Sequence, residues 1–233
     1  MSAPSELHAI LVGDGDVPSR AALDAAWPGW HADAALVVAA DGGVGKASTA
    51  GLRPDLMVGD ADSLDAAGLS AVHAAGIPLE LAPAAKDESD LELAALAAVA
   101  LGATRVTILG ALGGPRFDHA VANVWLLAHP ALAGRAVVLL DATTRVRLLD
   151  ASAGPAEVEL AGDTGDLVSL FPFGGEPAVV TAEGLAYPLR DEPLAAGPAR
   201  GLSNVRTGPR ARVGLRSGRL LVVETRVARR ESP

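Results

Sequence analysis

Leu56-Met57-Val58-Gly59-Asp60-Ala61-Asp62-Ser63 passes within one short stretch from an apolar run to two acids spaced by a single residue. Leu56–Gly59 lacks the alternation of a strand with one wet face, so it reads as a strand buried on both sides. Behind the acids Leu64–Ala75 reads as a helix, with Ser63 in position to cap it. Buried strand, polar turn and helix form the repeating unit of a parallel sheet covered on both faces.

The unit recurs on either side. Strands are expected at His8–Gly13, Leu36–Ala40, Pro78–Leu81, Arg105–Leu109 and Ala136–Leu140. Helices are expected at Arg20–Trp27, Val44–Ala50, Ser89–Leu101 and Phe117–Ala128. After Asp150 the texture changes: Gly and Pro recur between short runs rich in Val and Leu. The runs are Glu157–Leu160, Leu167–Phe171, Val179–Thr181, Leu185–Leu189, Ala211–Leu215 and Leu220–Thr225, an all-β pattern. Ser217-Gly218 reads as a tight hairpin turn between the last two. Pro188–Gly201 reads as a long irregular connection. The expected division is therefore an α/β domain over 1–150 and an all-β domain over 151–233.

Composition narrows the function. The chain has 233 residues, enough to bury a sizeable core. Its formal net charge of -9 argues against binding to a phosphate backbone, so no nucleic-acid partner is expected. The absence of cysteine excludes disulfides and thiolate metal sites and suits a reducing cytoplasm. The start, Met1 to Glu6, lacks the basic stretch of a signal peptide. The long apolar stretch Leu91–Ala111 contains Glu92 and Arg105, so no membrane span is expected. The polar tail Arg226–Pro233 is expected to fray.

Further polar or glycine-bearing segments stand at the ends of apolar runs, as Asp60 and Asp62 do. They are Asp41-Gly42-Gly43, Lys86-Asp87-Glu88-Ser89-Asp90, Gly113-Gly114-Pro115-Arg116-Phe117-Asp118-His119 with Asn123, and Gly201-Leu202-Ser203-Asn204. In an open parallel sheet, ligands sit beyond the carboxyl ends of the strands, so segments far apart in sequence can meet there. Asp60 and Asp62 can converge on one cation. Asp87 and Asp90 share a helix face, as do His119 and Asn123. Magnesium takes oxygen ligands, commonly one or two carboxylates plus substrate phosphates. Taken singly, each segment also has a structural reading. Asp41-Gly42-Gly43 is a turn, Ser89 with Glu92 fits a capping box, and Arg116 with Asp118 fits a surface ion pair. Gly43-Val44-Gly45-Lys46-Ala47-Ser48 only mimics a P-loop: Ala40 and Ala47 stand where that motif needs Gly and Ser or Thr, so Lys46 reads as a solvated helix residue.

In this order the segments resemble the thiamine pyrophosphokinase family. Asp41-Gly42-Gly43 and Pro54-Asp55-Leu56-Met57-Val58-Gly59-Asp60-Ala61-Asp62-Ser63 are similar to its first acidic motifs. Lys86-Asp87-Glu88-Ser89-Asp90 resembles its Lys-Asp-x-(Ser/Thr)-Asp segment, and Gly113 through Asn123 resembles its Gly-Gly-Arg-x-Asp-His-x-x-x-Asn segment, with Pro115 as an extra residue. Gly184-Leu185-Ala186-Tyr187-Pro188-Leu189 followed by Arg200-Gly201-Leu202-Ser203-Asn204 resembles its thiamine-site region more loosely.

The resemblance implies transfer of diphosphate from ATP to the hydroxyethyl oxygen of thiamine, giving thiamine diphosphate and AMP. It implies an N-terminal α/β domain, a C-terminal β-sandwich-like domain and a homodimer with thiamine near the subunit interface. It implies Asp60, Asp62 and Asp90 as magnesium ligands, with Asp87 behind them or added to them. Which acid accepts the hydroxyl proton stays open. Asp41, Gly42, Gly43, Lys86, Gly113, Gly114, Arg116, Asp118, His119 and Asn123 are expected at the nucleotide, and Ser203 and Asn204 at the aminopyrimidine. Two alternatives stand beside this: a pyrophosphokinase for another hydroxyalkyl heterocycle such as a pterin, and a non-catalytic nucleotide or thiamine sensor.

Overall fold

Six apolar runs of the first half form parallel strands in the computed structural model, which describes residues 6–83 and 85–228. They are β1 (Leu7–Val12), β2 (Ala34–Ala40), β3 (Leu56–Gly59), β4 (Leu79–Leu81), β5 (Ala103–Leu109) and β6 (Ala136–Leu140). Between them lie α1 (Arg20–Ala26), α2 (Gly43–Lys46), α3 (Ala66–Ala74), α4 (Asp90–Ala100) and α5 (Phe117–Leu126). The order across the sheet is β6-β5-β1-β2-β3-β4, with every neighbouring pair parallel. Ile10 and Val12 of β1 pack with Leu23 and Ala26 of α1, Leu109 and Leu140, while α4 lies against β1, β2 and β3. Helices thus cover apolar strands, as the lack of alternation predicts.

The chain builds β1 to β4 outward in one direction, then returns to the other side of β1 for β5 and β6. The crevice of such a sheet opens where the order reverses, beyond the ends of β1 and β5. The expected helix Val44–Ala50 is shorter than its pattern suggests: α2 is one turn, followed by a 3-10 turn at Ala47–Ala50 that ends on left-handed Gly51.

The chain divides into two compact units, Met1–Ala142 and Thr143–Pro233. The change in sequence texture puts this division at residue 150 instead. Thr144–Asp150 is a strand, β7, that belongs with the second unit. The other strands of that unit are β8 (Ala156–Glu159), β9 (Leu167–Pro172), β10 (Ala178–Glu183), β11 (Leu189–Leu194), β12 (Asn204–Val205), β13 (Arg212–Ser217) and β14 (Arg219–Thr225). β7 pairs along its whole length with β14.

Within this unit β12-β9-β14-β7 and β11-β10-β13-β8 are two antiparallel layers. Val168, Leu170, Leu220 and Val222 of one layer meet Ala178, Val180, Val213 and Leu215 of the other in a single apolar core, which makes the unit a β-sandwich.

Two local readings change. Leu185–Leu189 is not a strand; Leu185 makes only an isolated bridge to Arg206. The strand is β11, inside the stretch that reads as irregular. It lies at a sheet edge, where Pro193 and the charges of Arg190, Asp191 and Glu192 are tolerated. Ser217-Gly218 is not a hairpin turn but a corner: β13 and β14 belong to different layers, and Gly218 sits at φ +82°.

A buried charge cluster fixes the layer edge. Glu224, 2% exposed, accepts two bonds from Arg145, at 2.7 Å each, and one at 2.7 Å from Arg147. It also accepts the Ala161 N–H at 2.8 Å. Burial lowers the Arg147 value, against the opposing pull of Glu224.

No helix among the described residues is long and apolar enough to cross a membrane. The expectations for the two ends, no signal-peptide stretch and a fraying tail, fall largely on residues 1–5 and 229–233, outside the described residues.

Candidate active site

Beyond the ends of the parallel strands lies a pocket of about 560 Å³. Its lining draws on Asp41 after β2, Asp87 to Leu91 at the start of α4, Gly113 to Arg116 after β5, and His119 and Asn123 of α5. His119 and Asn123 both reach it because they are one helical turn apart. Asn123 Nδ2 also donates to the Ala111 carbonyl at 2.9 Å, tying α5 to the loop.

Asp41, Asp60 and Asp62 each present an oxygen within 4.8 Å of the others. Asp41 is 2% exposed, and its Oδ1 is buried without a hydrogen-bond partner. Its Oδ2 accepts the Ser63 N–H at 3.3 Å. Ser63 therefore serves the acids rather than capping α3; the cap is Asp65, which accepts the Gly68 N–H at 2.7 Å. Gly59, at φ +149°, permits the close approach. A Cβ there would lie 3.0 Å from the Asp41 Cβ and 3.2 Å from Asp90 Oδ1.

The acids do not titrate alike. The Asp62 N–H bonded to Asp60 holds the Asp60 carboxyl low, aided by Lys86 and opposed by desolvation. The charge of Asp60, then desolvation and Asp41, push the Asp62 carboxyl up. A cation placed among them relieves this repulsion.

Asp90 stands beside this trio rather than in it. Lys86 Nζ donates to Asp90 Oδ1 at 2.7 Å and lies 3.6 Å from Asp60 Oδ2. The bond to Asp90 raises the Lys86 value. Ser89 caps α4 through the Glu92 N–H at 3.2 Å and also lines the pocket. Asp55 of the Pro-Asp motif has a structural task, accepting the Val37 N–H at 2.8 Å.

Arg116 and Asp118 form a two-bonded pair at 2.9 and 2.6 Å on the pocket rim. The bond from Arg116 holds the Asp118 carboxyl down at about 2. Gly42 is the N-cap of α2 and Gly43 its first residue, and a Cβ on Gly43 would lie 2.0 Å from the Val12 carbonyl.

Ser203 and Asn204 lie in the second unit. Ser203 is exposed, at φ +53°, and its N–H donates to Ser169 Oγ at 3.0 Å. Asn204 is buried. Its Oδ1 accepts the Tyr187 N–H at 2.9 Å and its Nδ2 donates to the Tyr187 carbonyl at 2.6 Å.

Sequence reading missed the loop after β1. Gly13, Asp14 and Gly15 line the pocket, and the signal was present: glycines and an acid at the end of an apolar run. It also misread Lys46. That ammonium is not simply solvated: it pairs with Asp14 Oδ1 at 2.9 Å and donates to the carbonyls of Asp14 and Gly15.

A parallel sheet that gathers acids, glycine loops and an arginine at its switch point is the architecture of an α/β protein that handles polyphosphate groups. Residues 29–139 match the thiamin pyrophosphokinase catalytic domain, and residues 157–220 match the thiamin pyrophosphokinase vitamin B1 binding domain. The chain belongs to the thiamine pyrophosphokinase family. It is 25% identical over 198 residues to thiamine pyrophosphokinase of Bacillus subtilis, covering 84% of this chain and 90% of that protein. The crystal structure of thiamin pyrophosphokinase from Geobacillus thermodenitrificans is 26% identical, with a TM-score of 0.77 over 94% of this chain and 97% of the other. The Bacillus subtilis crystal structure, 23% identical, shares the fold at a TM-score of 0.80 over 96% of this chain and all of the other.

Proposed function

We propose that this chain transfers the diphosphate group of ATP to the hydroxyethyl oxygen of thiamine, giving thiamine diphosphate and AMP. Family membership over both domains carries this reading. The vitamin B1 binding match favours thiamine over a pterin, and the full set of acids favours catalysis over sensing.

In the reaction the thiamine hydroxyl oxygen forms a bond to the β-phosphorus and gives up its proton to a carboxylate of the acid cluster. The bond from that phosphorus to the oxygen bridging toward the α-phosphorus breaks, and AMP leaves with the electron pair. Little covalent work falls to the protein, so positioning and charge stabilisation dominate. The residues fit magnesium: three carboxylates converge, and one buried oxygen of Asp41 lacks a partner. Asp41, Asp60 and Asp62 would hold the ion, with Asp90 and Asp87 beside them, and the ion would supply positive charge to the phosphate oxygens. Asp41 thus takes the third place that the sequence reading gave to Asp90. Lys86 and Arg116 offer further positive charge to phosphate, while Asp118 keeps Arg116 in place. Gly113 and Gly114 line the pocket and let the backbone approach the nucleotide, Gly42 and Gly43 are assigned to the nucleotide side through their place next to Asp41, and His119 and Asn123 complete the wall. A cytoplasmic setting supplies ATP and magnesium.

Purified protein with ATP, magnesium and thiamine should yield thiamine diphosphate and AMP in equal amounts. ADP as the nucleotide product rejects diphosphoryl transfer.

Ser203 and Asn204 are assigned to thiamine, Ser203 by its exposed hydroxyl and Asn204 by holding the Tyr187 backbone. Asn204→Ala is expected to raise the KM for thiamine about tenfold, the worth of a lost buried hydrogen-bond pair, while the KM for ATP holds. Equal rises in both constants would remove Asn204 from the thiamine side.

A homodimer is also proposed. Phe117, 81% exposed, Val121 and Trp125, 57% exposed, recur every fourth residue along α5, and Phe171, Tyr187 and Leu202 are exposed in the second unit. Apolar surface of this kind marks association. Light scattering should give twice the chain mass of 23.4 kDa. A monomer at assay concentration rejects the dimer.

A further inference from the structure

We propose that Asp16 is a positioning residue for the nucleotide: its carboxylate holds the Gly113–Arg116 loop against the loop after β1. The inference rests on the function proposed above. It concerns a stretch of chain that precedes residues 29–139, the part matched to the catalytic domain.

The ends of β1 and β5 are laced together by three backbone donors. Gly13 N–H donates to the Leu109 carbonyl at 2.9 Å, and Gly15 N–H donates to the Gly110 carbonyl at 3.0 Å. The third runs the other way: Gly114 N–H donates to Asp16 Oδ2 at 2.9 Å. The loops are too close for side chains between them. A Cβ on Gly15 would lie 2.4 Å from the Gly110 carbonyl oxygen, and one on Gly113 would lie 2.8 Å from the Asp16 Cβ.

Lys46 holds the same loop from the other side through Asp14 Oδ1, at 2.9 Å, and the carbonyls of Asp14 and Gly15. Gly13, Asp14 and Gly15 therefore form a pinned wall of the pocket, and Asp16 follows them in the chain.

This anchor stands directly ahead of Pro115 and Arg116. Pro115 has no N–H, so Gly114 offers the last backbone donor before Arg116. Gly114 sits at φ +106°, a conformation few other residues hold. Asp16 takes that donor in a charge-assisted bond, which is stronger than a neutral one. It thereby fixes where Pro115 and Arg116 begin, and Arg116 is the side chain assigned to phosphate. The extra Pro115 is accommodated by an acid on a neighbouring loop.

The test uses the full chain and α,β-methylene-ATP, in which a methylene group replaces the oxygen of the bond to be broken. Calorimetric titration with magnesium present should show Asp16→Ala binding about tenfold more weakly than the wild type. Asp16→Asn keeps an acceptor oxygen in place and should stay within about threefold. Steady-state assays should show the loss in the KM for ATP, with kcat and the KM for thiamine unchanged. Asp16 is exposed, so truncation leaves no cavity, and Asp16→Ser, whose hydroxyl stops short of Gly114, serves as a second truncation. Wild-type affinity in both truncations overturns the proposal. So does a loss in Asp16→Asn equal to that in Asp16→Ala, or a fall in melting temperature with kcat and both KM values moving together. A wild-type protein that binds the analogue but forms no thiamine diphosphate overturns the function proposed above and leaves the Asp16 result standing.

Discussion

Asp62→Asn is expected to lower turnover at least about a hundredfold, because clamping of the developing phosphate charge is worth several kcal/mol. Asp60→Asn should do the same. The fold should survive both changes. Asp62 is exposed, and the charge of Asp60 already pushes its carboxyl upward. The sign comes from linkage: a carboxyl whose folded value lies above its unfolded value weakens the fold once pH exceeds the unfolded value. At pH 7, without metal, removing that charge therefore leaves the melting temperature unchanged or higher. Asp60 has the opposite sign, since its folded value is lowered. Asp60→Asn should then melt no higher than the wild type. Magnesium should raise the melting temperature of the wild type and have a smaller effect on either variant. Steady-state assays at saturating magnesium, with melting curves in chelator and in magnesium, check all of this. Near-normal turnover in both variants would remove the pair from the site.

The second large effect concerns stability. Glu224→Ala should destabilise the protein by about 3–5 kcal/mol, the cost of leaving buried charge uncompensated. Glu224 is nearly inaccessible and accepts from Arg145, Arg147 and the Ala161 N–H. Its removal takes the shared carboxylate away from Arg145 and Arg147, two partly buried guanidinium groups at the strand pair β7–β14. Urea unfolding should show the midpoint falling steeply. Glu183→Ala, which breaks an exposed pair with Arg212, should shift it little. A small effect of Glu224→Ala would mean that water reaches the cluster.

Much of the fold is written in local sequence. Leu56–Gly59 and Ala136–Leu140 are strands with the bounds their pattern predicts, because an apolar run closed by glycine or acid has few alternatives. The change near residue 150 is also legible, since Gly and Pro break helices. Its position is not. Thr144–Asp150 joins the second unit only because β14, some seventy residues later, pairs with it. The β11 edge strand is hidden for a related reason. An edge tolerates proline and charge, so its sequence looks like a loop.

The candidate site divides in the same way. Sequence alone determined which residue types stand at the strand ends: the acids at 41, 60, 62, 87 and 90, the glycines, Arg116, His119 and Asn123. Those are matters of local order, and their spacing carries the family likeness. Tertiary structure decided the grouping. It drew Asp41 against Asp60 and Asp62, set Lys86 between Asp60 and Asp90, and turned the amide of Asn204 onto Tyr187. It also brought the Gly13–Asp16 loop to the pocket and gave Lys46 a partner there. Such contacts join residues tens of positions apart, and they depend on strand order. Local pattern fixes a strand and its turn, but which strand lies beside it is settled by packing of the whole sheet.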